Sequence, residues 1–408
     1  MELFKVVDIE EANKIVAENF GCKGDVEKID TSKALGRILG RDIVSIENVP
    51  GFRRSSVDGY AIKAKEAAGA SEAIPALFDL VCEVKMGESA LIKLSLPGQC
   101  AYVPTGGMIP EGADCVVMIE YSEKLDQNTI LINKPSYPGE NLVEEDEDVA
   151  AGEVVIRKGT RLRPYEIGVL SCLGIREIEV FKKLRCGIIS TGDEIIDPNS
   201  IPSLGQVRDV NSYLLSSLVE ENGAEAISYG IFNDNFEELK AALNKAWQEC
   251  DIVLVSGGSS VGKKDHTFEA ICSLKSSKIF VHGIAVKPGK PTLIGKAEEK
   301  AIFGLPGHPL ACAVIFNTII RPYLEKIYEL DEPEYPASAS FAMNYHKAKG
   351  REEFLPVKLE QRGEELVAVP VLSKSGIISA FSKSYGYIRI HKNLEGLREG
   401  EKVFVYKF

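Results

Sequence analysis

The segment from Arg185 to Tyr323 constrains the fold most, because its hydrophobicity follows a fixed rhythm of strand, loop and helix. Cys-Gly-Ile-Ile-Ser (186–190), Asp-Ile-Val-Leu-Val-Ser (251–256) and Ala-Ile-Phe-Gly-Leu (301–305) are short runs rich in apolar residues. Strands covered on both faces read that way, whereas a strand with one wet face alternates. Residues 211–223, 236–249 and 309–322 read as helices. The first is ended by Gly223, and the last is opened by a proline at its first turn. The pattern predicts an open, largely parallel α/β sheet, in which ligands bind beyond the carboxyl ends of the strands.

The flanking regions read differently. Asp8 is predicted to cap a helix, with Glu11 three residues on and Ala12, Ile15, Val16 and Phe20 at helical spacing before Gly21. From residue 43 to 135, short alternating runs punctuated by Gly and Pro predict a β-rich module, with strands in 90–104 and 113–121. Residues 140–174 hold an acidic run, a short strand at 154–159 and a helix beginning at Pro164. After a Pro-rich linker (331–338), alternation in 354–361, 365–372, 387–392 and 402–408 predicts a small β-barrel.

Charge narrows the function. The 408-residue chain carries a net charge of −12 without an extended basic run, which argues against a nucleic-acid binder. No apolar run approaches the ~18–20 residues that span a bilayer, and the acidic, amphipathic N-terminus does not read as a signal or transit peptide. Nine scattered cysteines without a Cys-x-x-Cys pair read as reduced thiols of a cytoplasmic protein. An acidic chain that holds an anionic substrate needs local help from a divalent cation, lysines or backbone N–H groups.

Three loops of the α/β segment supply such help. Ser190-Thr191-Gly192-Asp193-Glu194 joins a glycine to carboxylates suited to Mg²⁺, although a solvated polar turn reads equally well. Residues 256–265, including Ser256, Gly257, Gly258, Ser259 and Asp265, nearly form a P-loop. Lys264, however, stands where the Mg²⁺-binding hydroxyl is required, which excludes a P-loop NTPase but leaves a donor-rich phosphate cradle. Lys287-Pro288-Gly289-Lys290-Pro291 and Gly304-Leu305-Pro306-Gly307-His308-Pro309 offer two point charges and a glycine-rich helix start, or simply rigid connectors. Asp58 and Thr105 lie in turns of the β-rich module, and Asp148 ends an acidic run that by itself reads as a solvated face. A nicotinamide dehydrogenase is excluded, because no G-x-G-x-x-G opens a helix after a first strand.

In order along the chain, SSVDGYA, PTGGMIPEGADCVV, STGDEI, GQVRDVNSY, VSGGSSVG, VKPGKPT and FGLPGHP resemble the molybdopterin molybdenumtransferase family, the MoeA proteins and the gephyrin E domain. The resemblance covers essentially the whole chain. It implies a multidomain fold: an elongated N-terminal domain of 1–42 with 140–176, the β-rich module 43–139, a MogA-like molybdopterin-binding α/β domain 177–328, and a C-terminal barrel 329–408. It further implies a homodimer with clefts between subunits that takes adenylyl-molybdopterin and molybdate. Mg²⁺-dependent cleavage then releases AMP and molybdenum cofactor, and a molybdopterin adenylyltransferase is a possible transient partner.

Carried over by position, Asp58, Glu194, Asp234 and Asp265 are the catalytic candidates, with Glu194, Asp234 and Asp265 as metal ligands. Thr105, Asp148, Ser256, Gly257, Gly258, Ser259, Lys287, Lys290, Pro306, His308 and Pro309 are the substrate-binding candidates. The chain departs from the family pattern at His308, Ala311, Gly283, Val143 and Pro356. Fewer fixed cations follow at the anion site, and a protonated His308 would partly compensate. Two other readings compete. A molybdopterin adenylyltransferase-like enzyme lacks the flanking modules, and a non-catalytic scaffold has no need of the five carboxylates.

Overall fold

The computed structural model of the protein describes residues 6–21, 23–258, 266–330, 332, 334–372 and 379–408. It forms two compact units, one of residues 1–41, 158–163 and 177–408, the other of 42–157 and 164–176.

The first unit is built on the predicted α/β sheet. Its strands are β1 (Arg185–Thr191), β2 (Glu225–Phe232), β3 (Ile252–Ser256), β4 (Ser277–His282), β5 (Leu293–Ala297) and β6 (Lys300–Leu305), in the order β2-β1-β3-β6-β5-β4. The β2, β1, β3 and β6 ladders are parallel, while β5 runs antiparallel to both β6 and β4. That antiparallel edge is not legible as separate strands in the sequence rhythm.

Both faces of the sheet are covered, which explains the apolar runs. On one face Ile189, Val253 and Val255 pack with Leu239, Ala242, Leu243 and Ala246. On the other, Cys186, Ile188, Ile252 and Leu254 join a cluster with Leu215, Leu218 and Val219. Each buried Val, Leu or Ile among them contributes about 1.5–3 kcal/mol by leaving water. The helices concerned are α2 (Asn211–Glu221) and α3 (Phe236–Glu249), and the Asn235 side chain caps α3 by accepting from the Glu237 and Glu238 N–H groups.

The N-terminal helix α1 (Ile9–Asn19) starts as predicted, with Asp8 accepting from the Glu11 N–H at 2.9 Å. Its Ile9, Ala12 and Val16 enter the same core as β6 and the helix that follows it. That helix begins at α4 (Pro309–Ile315), loosens into a π turn at Phe316–Ile320 and resumes as α5 (Arg321–Ile327). Pro322 has no N–H to give the carbonyl four residues earlier, that of Thr318. The Asn13 side chain donates to that oxygen instead, at 2.9 Å.

The last strands close into a barrel: β7 (Ala337–Phe341), β8 (Glu352–Arg362), β9 (Glu365–Pro370), β10 (Gly386–Ile390) and β11 (Lys402–Lys407). The circuit β8-β9-β7-β11-β10-β8 leaves no open edge within it. A two-residue strand, Val286–Lys287, adds to β8 in parallel and sets Lys287 opposite Glu353.

The second unit holds a six-stranded sheet in the order Cys115–Met118, Gly59–Ile62, Gln99–Val103, Ala76–Glu83, Thr129–Ile132, Ser122–Lys124. Within the predicted strand region 90–104, only Gln99–Val103 joins this ladder. Gly98 turns the chain at φ +74°, and Leu91 and Leu96 before it are exposed. Gly59 is fixed by close approach, since a Cβ there would lie 2.0 Å from the Val117 carbonyl oxygen.

Candidate functional site

The carboxyl ends of β1, β2, β3 and β6 converge on a cavity of about 690 Å³. At the end of β1, the Thr191 hydroxyl donates to Asp234 Oδ1 at 2.9 Å, and the Asp234 N–H donates to the Asp193 carboxylate at 3.0 Å. Asp234 and Glu194 are exposed on the cavity wall, with Gly257, Gly258, Pro306, His308 and Pro309 around them. Gly257 is obligatory for packing: at φ +99°, a Cβ would sit 2.1 Å from the Thr191 carbonyl oxygen. The glycine therefore lets β3 turn under the β1 loop, whatever ligand it faces.

Asn211 ties three of these segments together. Its Nδ2 donates to Ser256 Oγ at 2.6 Å and to the Gly307 carbonyl at 2.8 Å, joining α2, β3 and the proline loop. Asp209 is buried beside it and accepts from Ser190 Oγ at 3.4 Å and from the Ser212 N–H at 3.1 Å. Arg208, Asp209 and Asn211 all line the cavity, yet the sequence reading gave them no role. A signal was available for Asp209, since an Asp just ahead of a helix can accept from its first-turn N–H groups, as Asp209 does from Ser212. Ser256 is buried and lends its hydroxyl to this network rather than to the open cavity. The neighbouring Cys312 thiol is pushed up to about 12 by burial, so it packs as a small apolar side chain and not as a nucleophile.

A second cavity, of about 920 Å³, opens between the α/β domain and the barrel and shares Pro291, Pro306 and His308 with the first. Lys287, Lys290 and Arg351 line it together with Phe354, Leu355 and Leu372. Lys287 Nζ donates to Glu353 Oε1 at 2.9 Å, and the Tyr345 hydroxyl donates to the same oxygen at 2.7 Å. Burial, then the Glu353 contact, pushes the Tyr345 phenol far up, so it remains a donor. Lys290 is exposed, and among the described residues it forms no ion pair. Buried Lys347 donates to the Ala348 and Arg351 carbonyls at 3.2 and 2.9 Å, which holds the turn that carries Arg351.

In the other unit, Asp58 and Thr105 meet directly: the Thr105 N–H and hydroxyl reach Asp58 Oδ1 at 2.7 and 3.2 Å. Asp148 is exposed, and its N–H donates to the Val49 carbonyl at 3.0 Å. Ser259 and Asp265 lie outside the described residues.

Among the described residues, no three His, Cys, Asp or Glu side chains group so as to hold a metal. Mg²⁺ commonly takes only one or two carboxylates and completes its octahedron with water and substrate phosphate. Glu194 and Asp234, hard oxygen donors on one cavity wall, suit that mode. Among the described residues, no helix is long and apolar enough to cross a membrane.

This combination of a doubly covered α/β sheet, a closed C-terminal barrel and a β-rich module is that of a known protein family. Residues 7–174 match the MoeA N-terminal region (domain I and II), 187–326 a "Probable molybdopterin binding domain", and 338–408 the MoeA C-terminal region (domain IV). A molybdopterin biosynthesis protein of Methanocaldococcus jannaschii is 35% identical, over 100% of this chain and 99% of that one. The molybdopterin molybdenumtransferase of Haemophilus influenzae is 31% identical over 99% of each chain. A crystal structure of the molybdopterin biosynthesis MoeA protein from Pyrococcus horikoshii OT3 superposes with a TM-score of 0.86 at 33% identity, covering 99% of this chain and 100% of that one. The chain belongs to the MoeA family.

Proposed function

We propose that this protein is a molybdopterin molybdenumtransferase, which inserts molybdenum from molybdate into adenylylated molybdopterin and releases AMP. The observation that carries the reading is the pair of adjoining cavities, one walled by Glu194 and Asp234 and the next by Lys287, Lys290 and Arg351. Cleavage of an adenylate builds negative charge on phosphate oxygens, and fixed donors and cations lower that barrier most when they are already in place. Asp234, held by Thr191, and Glu194 would hold Mg²⁺, with Asp265 as the third expected ligand. When bound, Mg²⁺ would neutralise phosphate charge as a Lewis acid.

The chain's own residues do the remainder. Gly257 and Gly258, just past the end of β3, lie against Thr191 and line the first cavity. Lys287 and Lys290 attract the oxyanion, Pro306 shapes the wall shared by the two cavities, and Pro309 shapes the first cavity alone. Asp58 as a catalytic residue, and Thr105 and Asp148 as substrate-binding residues, belong to the same reading. The four-domain partition, a homodimer, a cytoplasmic location and transient contact with an adenylyltransferase belong to the same proposal. The test is to incubate the protein with adenylylated molybdopterin, Mg²⁺ and molybdate, following AMP and metal-loaded cofactor. Oxyanion-dependent AMP release is expected, and its absence would defeat the reading.

A further inference from the structure

We infer that Glu353, the second residue of strand β8, is a positioning residue that holds Lys287 back from the oxyanion and keeps oxyanion binding reversible. This rests on the proposed function, in which the second cavity receives the oxyanion.

The pair is built into the backbone. Lys287 and Glu353 are register partners in the short parallel ladder between Val286–Lys287 and β8, so their side chains meet wherever the ladder forms. Glu353 is 7% exposed and Lys287 is 59% exposed. The carboxylate is thus the fixed member, while the ammonium faces the cavity. Tyr345 donates to the same carboxylate oxygen as Lys287, so the phenol and the ammonium share one acceptor.

Two opposing effects follow for an incoming dianion. Tethering Lys287 spares the rotamer entropy of a long side chain, which would favour binding. Against this, the carboxylate sits 2.9 Å from the ammonium. An oxyanion on the other side of the ammonium would lie within several ångströms of a like charge, in a site only partly open to water. The repulsion is the larger of the two effects at such separations, because it acts on a doubly charged ligand. Among the described residues three cations line the cavity, and Glu353 offsets the charge of one of them. The result is a site that captures an oxyanion without trapping it.

Equilibrium dialysis of molybdate against the full-length protein tests this, with Glu353→Gln, Tyr345→Phe and Lys287→Ala compared with the parent. The parent should bind saturably and Lys287→Ala more weakly. Glu353→Gln should bind more tightly, with Kd falling about tenfold. A merely structural role for Glu353 would move that affinity the other way. Tyr345→Phe removes the competing donor, strengthens the Glu353–Lys287 pair and should weaken molybdate binding a few-fold, so it carries the test if Glu353→Gln does not fold. Parent binding that depends on Lys287 but is unchanged or weakened in Glu353→Gln overturns the inference and leaves the proposed function standing. Binding unaffected by Lys287→Ala overturns both.

Discussion

The two adjoining cavities share a wall and differ in what they are made of. The first is formed at the carboxyl ends of parallel strands, where backbone turns and short acidic side chains converge. The second lies where the α/β domain meets a β-barrel, and its polar groups sit on long, cationic side chains against apolar walls. Strand ends fix donors through the backbone, and Asn211, Thr191 and Asp209 show how tightly. Lysines and arginine reach from a distance and depend on partners such as Glu353 for their direction. The first cavity is thus suited to holding a phosphate and its metal in one geometry, and the second to admitting and releasing a small oxyanion.

Substitutions that act on one cavity only would sharpen this division, and mixed effects would break it. The largest effect is expected for Asp234→Ala or Asp265→Ala, which should lower AMP release at least about a hundredfold with far-UV circular dichroism unchanged. Turnover within a few-fold of the parent would remove these carboxylates from the chemistry. Gly257→Ala comes next. The Cβ clash with the Thr191 carbonyl at positive φ should cost about 1–3 kcal/mol in denaturant unfolding and reduce turnover, while molybdate affinity stays unchanged. Lys290→Ala should show the converse: an apparent KM for molybdate raised about tenfold, with kcat nearly unchanged, as expected for loss of uniform binding.

The smallest effect concerns neither cavity. Asp8→Ala removes the cap of α1 and should cost about 1 kcal/mol without changing KM for either substrate. Its pH dependence has a definite sign. The Lys392 hydrogen bond, then the Glu11 N–H, hold the Asp8 carboxyl below its ordinary value. Its contribution is therefore present above the ordinary carboxylate range and is lost as pH falls through the depressed native value. The parent should lose more stability than Asp8→Ala on acidification through that range, measured by thermal unfolding.

Much of this was legible in the sequence, for physical reasons. The doubly covered strands announced themselves through apolar runs at 186–190 and 251–256, and the α1 cap and Pro309 through local chemistry. Asp209 and Asn211 were quoted as part of a motif and given no role, because a buried polar network reveals itself only by who meets whom across β1, β3 and the proline loop. Glu353 and Arg351 were missed for a similar reason. They precede an alternating run that reads as barrel, and nothing local says that Glu353 will stand opposite Lys287, 66 residues away. The run 90–98 was over-read as strand, because alternation persists there without a neighbouring strand to receive it.

The bond from Asn13 to the Thr318 carbonyl spans 305 residues and touches the same helix that carries Pro309 to the cavity wall. During synthesis the amide emerges from the ribosome long before the carbonyl that needs it. In the folded chain, the helix with the proline gap takes this bond from a segment made at the outset. The first and last thirds of the chain are thus tied through this amide, and a chain lacking α1 would leave the Thr318 carbonyl to find its partner in water.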